Sequence, residues 1–111
     1  MKQFRLTVSR RADEDADAIF EWLSGRSPVG ASRWFNAFRD TLRAISQKPE
    51  GYSRAPEAEM LDRDIRQALF KTRRGHIYRT MFVVIDADIH VIAVRGYGQE
   101  LATPDDLDLP S

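Results

Sequence analysis

Three arginines, Arg66, Arg79 and Arg95, fall inside or at the ends of segments patterned as β-strands. Arginine suits phosphate and carboxylate because its planar guanidinium presents a fork of donors. Arg79 is the most telling of the three. It sits in GHIYRTMF (residues 75–82), which opens the otherwise apolar run IYRTMFVVIDADIHVIAVRGYG. A guanidinium is costly to bury without a partner. Either the fold supplies a carboxylate, or Arg79 faces a groove where something anionic binds. On adjacent strands the three arginines can converge on one sheet face, with Lys71 close in sequence, as a groove for RNA backbone or an acidic partner. The competing account is a set of ion pairs to Glu57, Glu59, Asp62 or Asp64, or plain solvent exposure. Both accounts stay open at the level of sequence.

His76 and Tyr97 are the other residues with possible chemistry. His76 follows Gly75 where a strand begins, and is a general acid or base only if it lies near Arg79. Tyr97 stands between glycines in RGYGQE, a setting that permits an unusual turn or close approach of a ligand. A tyrosine there can stack on a base or donate a proton, or simply pack at the end of the sheet. Asp86 and Asp88 read as turn formers. No HxxxH or HxH spacing suggests a metal, and no phosphate loop, GxSxG or triad pattern occurs. No cofactor is expected.

The elements that must position these residues follow from periodicity. Phe4, Leu6 and Val8 alternate in a short first strand. Ser9 can cap a helix carrying Ala12, Ala16, Ile19, Phe20 and Leu23 on one face and stopping near Gly25. Ser27 and Pro28 give the start of a second helix, whose stripe Ala31, Trp34, Phe35, Phe38, Leu42 and Ile45 ends before Pro49. Residues 49–64 are polar with two prolines and read as a loop, with a helical turn at its end. Strands are expected over 65–71, 76–85 and 89–96, the last two joined by Asp86-Ala87-Asp88 as a hairpin. The expected order is β-α-α-β-β-β, an α+β fold in which a helical hairpin packs on a largely antiparallel sheet.

At 111 residues the chain fits one domain, with 42% apolar and 31% charged residues and no cysteine. The absence of cysteine excludes disulfides and thiolate metal sites. No apolar leader and no run of membrane-spanning length appears, so the expectation is a soluble, cytoplasmic protein that does not engage a membrane. Net charge is zero but unevenly placed. All 17 Lys and Arg and 13 of the 17 acids lie in residues 1–98, a body of +4, and residues 99–111 form an acidic tail of −4. The tail, with Pro104 and Pro110, is expected to be frayed or loosely docked. A self-screening role, folded over Arg66 or Arg79, is the alternative.

Taken together, these pieces resemble the RelE/ParE toxin superfamily over roughly residues 2–98. The carriers are a first strand, then the helical pattern Ala12-x-x-x-Ala16-x-x-Ile19-Phe20-x-Trp22. Tyr78-Arg79 then leads through an apolar strand, an acidic turn and a strand ending at Arg95. The resemblance implies the toxin of a type II toxin–antitoxin (plasmid stabilisation) pair, held inactive by an antitoxin encoded beside it, in a hetero-oligomer. RelE-like members are metal-independent, ribosome-dependent endoribonucleases that cut mRNA. For that activity the matching residues here are Arg79, Arg95, Tyr97 and His76. ParE-like members inhibit DNA gyrase by binding. For contact with a target or antitoxin the matching residues are Arg66, Lys71, Arg79 and Arg95. The chain departs from the nucleases in its neutral charge, and Arg66, Gln67 and Lys71 replace their usual lysines. These departures favour the ParE-like expectation, with the nuclease and a non-toxic binding module of the same fold as alternatives. In the family the strand arginine faces the open side of the sheet, so Arg79 is expected to meet solvent, target or antitoxin, in a groove shared with Ile77, Met81 and Val83.

Overall fold

The structure, a computed structural model, describes residues 3–72 and 75–110. Arg73 and Arg74, between Thr72 and Gly75, lie outside the described residues. The fold is α+β, three α-helices and a four-stranded mixed sheet. Strand β1 (Arg5–Val8) leads directly into α1 (Arg10–Ser24), and α2 (Pro28–Gln47) folds back beside it. A short α3 (Glu57–Leu61) precedes β2 (Arg66–Phe70), β3 (Tyr78–Ile85) and β4 (Asp88–Gly96). The sheet order is β1-β4-β3-β2: β1 runs parallel to β4, and the other two pairings are antiparallel.

The boundaries have local causes. Ser9 accepts from the Ala12 N–H and starts α1, and Ser27 accepts from the Gly30 N–H and starts α2 one residue ahead of Pro28. The β3–β4 connection is tight, and Asp86 adopts the left-handed backbone (φ 56°) that short polar side chains tolerate there. A bulge between Met81 and Phe82 shifts the β3–β4 register, placing Ile92 and Ala93 with Met81 and Val83 on the face away from the hairpin.

Two apolar layers result, one on each face of the sheet. The α1–α2 hairpin presses Ala12, Ala16, Trp34, Phe38 and Ile45 onto Ala68, Tyr78, Phe82, Ile89, Val91 and Val94. Trp34 is the centre of that layer, stacked on Phe38 at 5.5 Å and edge-on to Tyr78 at 5.6 Å. The second layer was not foreseen. Ala55 and Ala58 from the segment expected as a polar loop, Ile65 from the start of the strand expected over 65–71, and Ala102 and Leu107 from the tail cover Met81, Val83, Ile92 and Ala93.

The tail is therefore docked on the sheet face that carries Arg79, in line with the alternative of a tail folded over that residue, and is not a frayed end. Its apolar residues are few but spaced to meet the sheet, and its polar groups find partners along the way. Asp108 accepts from the Arg11 N–H at 2.9 Å, in the first turn of α1, where an anion meets a free backbone donor and the positive end of the helix dipole. The Arg11 guanidinium donates to the Asp105 carbonyl at 2.7 Å, and Arg63 donates to the Pro110 carbonyl at 2.9 Å. Within the tail, Thr103 and Asp106 form a reciprocal cap around a short 3-10 turn.

Candidate functional site

The alternation of β3 places Tyr78 and Thr80 toward the helical hairpin, so Arg79 points to the opposite face. That face is closed. Arg79 is 3% exposed and Glu57, from α3, is 0% exposed. Arg79 donates to both Glu57 oxygens, Nη1 to Oε1 at 2.9 Å and Nη2 to Oε2 at 2.7 Å, and Nη1 also donates to Gln67 Oε1 at 2.9 Å. Glu57 Oε2 further accepts from the Ala102 N–H of the tail at 2.9 Å. The carboxylate joins three parts of the chain: α3, β3 and the tail.

Burial pushes the Glu57 carboxyl up. The hydrogen bonds from Arg79 and the Ala102 N–H more than offset it, and hold the group down at about 2. The buried charge is thus compensated from all sides. The expectation that Arg79 meets solvent or a partner in an open groove is corrected by this geometry. Of the two accounts of a strand arginine, the fold supplies the carboxylate. Met81 and Val83, expected to line that groove, are buried beneath α3 and the tail.

The other predicted residues do not converge with it as an open anion site. Arg95 is the cross-strand partner of Arg79, but donates to the Glu100 carbonyl at 2.9 Å and lies 3.9 Å from Asp106. Its Nε is buried without an acceptor among the described residues, so the tail pairs it incompletely. Arg66 is the register partner of Phe82, which puts it on the helix-facing side of the pleat, away from Arg79. It donates to the Tyr52 carbonyl at 2.7 Å and lies 3.6 Å from Asp64. Lys71, just past β2, is exposed.

His76 and Tyr97 do come together, at the end of the sheet where β3 begins and β4 leaves. The Tyr97 N–H donates to the Ile77 carbonyl at 2.8 Å, tying the two segments side by side. There an open groove of about 550 Å³ is lined by Ile19 and Trp22 of α1 with His76, Ile77, Tyr97 and Gln99. Trp22 is 50% and Tyr97 56% exposed. The glycines flanking Tyr97 are not there for left-handed backbone, since no glycine has positive φ among the described residues. A Cβ at Gly98 would meet open space. Burial pushes the pKa of the wall residue Tyr78 above the ordinary phenol value.

Sequence reasoning named Glu57 among several possible partners but missed the covering role of α3 and the tail. The available signal was the spacing of Ala55, Ala58 and Leu61, three residues apart around Glu57. It also overlooked Trp22 as a surface residue. Among the described residues no group of His, Asp and Glu is arranged to hold a metal, and no helix is long and apolar enough to cross a membrane. No protein-family model and no curated protein matches the sequence.

Proposed function

We propose that this protein is the toxin of a type II toxin–antitoxin pair, of the RelE/ParE kind, and that it acts by binding its target and not by cutting RNA. The strand, helical hairpin and three-stranded meander, with the first strand parallel to the last, support the family reading. The single observation that favours binding over cleavage is the Arg79–Glu57 pair. A guanidinium engaged by both oxygens of a buried carboxylate has no free fork for a scissile phosphate. What stays exposed is the groove at the sheet end, with the aromatic character common at protein interfaces. The natural partners on this reading are a cytoplasmic target such as gyrase and a cognate antitoxin.

A ribosome-dependent nuclease is the second reading, and one observation favours it: His76 and Tyr97, both capable of proton transfer, line the same groove. The purified chain, added in parallel to a gyrase supercoiling assay and to cell-free translation, separates the two. Inhibited supercoiling with intact mRNA, lost in Tyr97→Ala, is the expected result. Cleaved mRNA and stalled translation would overturn the binding reading. If neither assay responds, a binding module of the same fold is the better account. Tyr97 is exposed, so the variant tests the surface without disturbing the core.

A further inference from the structure

Beside the groove, and sharing Trp22, His76 and Tyr78 with it, lies a second cavity of about 470 Å³, between the α1–α2 turn and Thr72, Gly75 and His76. That volume is in the range that holds small-molecule ligands. Its walls are aromatic (Trp22, Trp34, Tyr78) and cationic (Arg26, Arg33), with His76 and Thr72, and no carboxylate is among the described lining residues.

Three features give this cavity a preference for anions. Arg26 and Arg33 have no carboxylate within ion-pair distance among the described residues, unlike Arg5, Arg10, Arg43, Arg54, Arg66, Arg79 and Arg95, which each have one. Gly30, in the first turn of the 20-residue helix α2, forms part of the wall; its N–H is already donated to Ser27 Oγ, so the helix contributes the positive end of its dipole and no free donor. The Arg26 guanidinium is held 4.1 Å over the Trp22 ring, which fixes a cation at the rim without neutralising it. Among the aromatic walls Trp34 and Tyr78 are buried in the core, and Trp22 alone offers an accessible ring, with a preference for a planar partner. Trp22 exposes half its surface, and indole faces stack on any base.

We infer that this cavity binds a nucleoside monophosphate, its phosphate monoester at Arg26 and Arg33 and its base against Trp22. A carboxylate-bearing peptide is the weaker candidate. A phosphate monoester carries up to two charges and three acceptor oxygens, and so matches two unpaired guanidinia better than a single carboxylate does. The inference rests on this cavity alone and does not depend on the toxin reading.

The chain contains two tryptophans, and both line the cavity. Intrinsic tryptophan fluorescence of the full chain therefore reports on this cavity and, through Trp22, on the adjoining groove, and dependence on Arg33, which lines only the cavity, separates the two. Adenosine 5′-monophosphate is expected to quench it to saturation. Adenosine alone and inorganic phosphate alone are expected to bind at least ~10-fold more weakly, each lacking one half of the contacts. Arg33→Glu should weaken adenosine monophosphate by ~10-fold or more, whereas Arg39→Glu, the same charge change on the same helix outside the lining, should change it less than ~2-fold. Both residues are exposed, so the fold is spared, and Arg26→Gln supplies an independent second variant. A 5′-phosphorylated oligonucleotide that quenches more tightly than the free nucleotide, with the same Arg33 dependence, would support the inference with a strand end as the source. The inference is overturned by the absence of saturable quenching, by equal effects of Arg33→Glu and Arg39→Glu, or by inorganic phosphate matching the nucleotide. It also fails if a tryptophan-free acidic peptide saturates the signal where the nucleotide does not.

Discussion

Arg79 and Glu57 are the residues on which the covered face depends, and they are expected to fail asymmetrically when only one is changed. Glu57→Ala strands a guanidinium in a dry setting and leaves the Ala102 N–H without its acceptor, so urea unfolding should show a loss of roughly 3–5 kcal/mol. The double variant Glu57→Leu/Arg79→Met removes both charges and should recover most of that loss, because buried pairs are often no more stabilising than well-packed apolar substitutes. A single variant losing under ~1 kcal/mol would show that water reaches the pair in solution. The same carboxylate sets an acid limit. Its folded pKa, about 2, lies below the ordinary 4.5, so its contribution is fully present above 4.5 and is lost as pH falls from there toward 2. By linkage the amount is on the order of 3 kcal/mol, read as a falling urea midpoint across that interval in the wild type. In the double variant that stretch of the profile should flatten. Asp15 behaves in the opposite sense. Burial raises its pKa although the Val94 N–H donates to it, so Asp15→Asn is expected to be neutral or slightly stabilising at pH 7.

Among the elements, the periodic ones were legible in the sequence and the covering ones were not. Both helices and the three strands of the meander lie within a residue or two of where their caps, stripes and alternation put them, because each of those signals is local. The faces are a different matter. Nothing local tells whether a sheet has one apolar layer on it or two, and the second layer here is assembled from small residues in a proline-rich stretch and from a tail whose charges dominate its composition. His76 and Tyr97 were legible as candidates but their meeting was not, since it depends on the β3–β4 register and its bulge. Removing the tail after Gly98 should uncover Met81, Val83, Ile92 and Ala93, and a dye that binds exposed apolar surface should then brighten on the truncated chain. A milder change, Asp108→Ala, takes away only the anion at the start of α1 and should cost about 1 kcal/mol. If truncation leaves both dye binding and the urea midpoint unchanged, the docked tail contributes nothing to the fold.

For the molecule as a whole, zero net charge conceals a body of +4 held against a tail of −4. Screening acts on that separation over about a Debye length, ~10 Å at 0.1 M salt, so the docked tail neutralises the body locally. The chain ending at Gly98 is accordingly expected to elute from a heparin column at higher salt than the full chain. Equal elution would mean that the cations which bind heparin lie beyond the tail's reach, for instance around Arg26 and Arg33.

The parallel pairing of β1 with β4 also governs when this protein can exist at all. Arg5 meets Asp88 across a separation of 83 residues, and β4 sits between β1 and β3 in the sheet. While the chain is being synthesised, the first strand and both helices emerge with no sheet to pack on, and Trp34, Phe38 and Ile45 wait for partners not yet made. Closing so long a loop is slow, and it precedes most of the burial that rewards it. Until β4 is complete the apolar stripe of the hairpin is open to anything that will cover it. Chaperones, or a partner present during translation, therefore have their opportunity before the sheet forms and lose it afterwards.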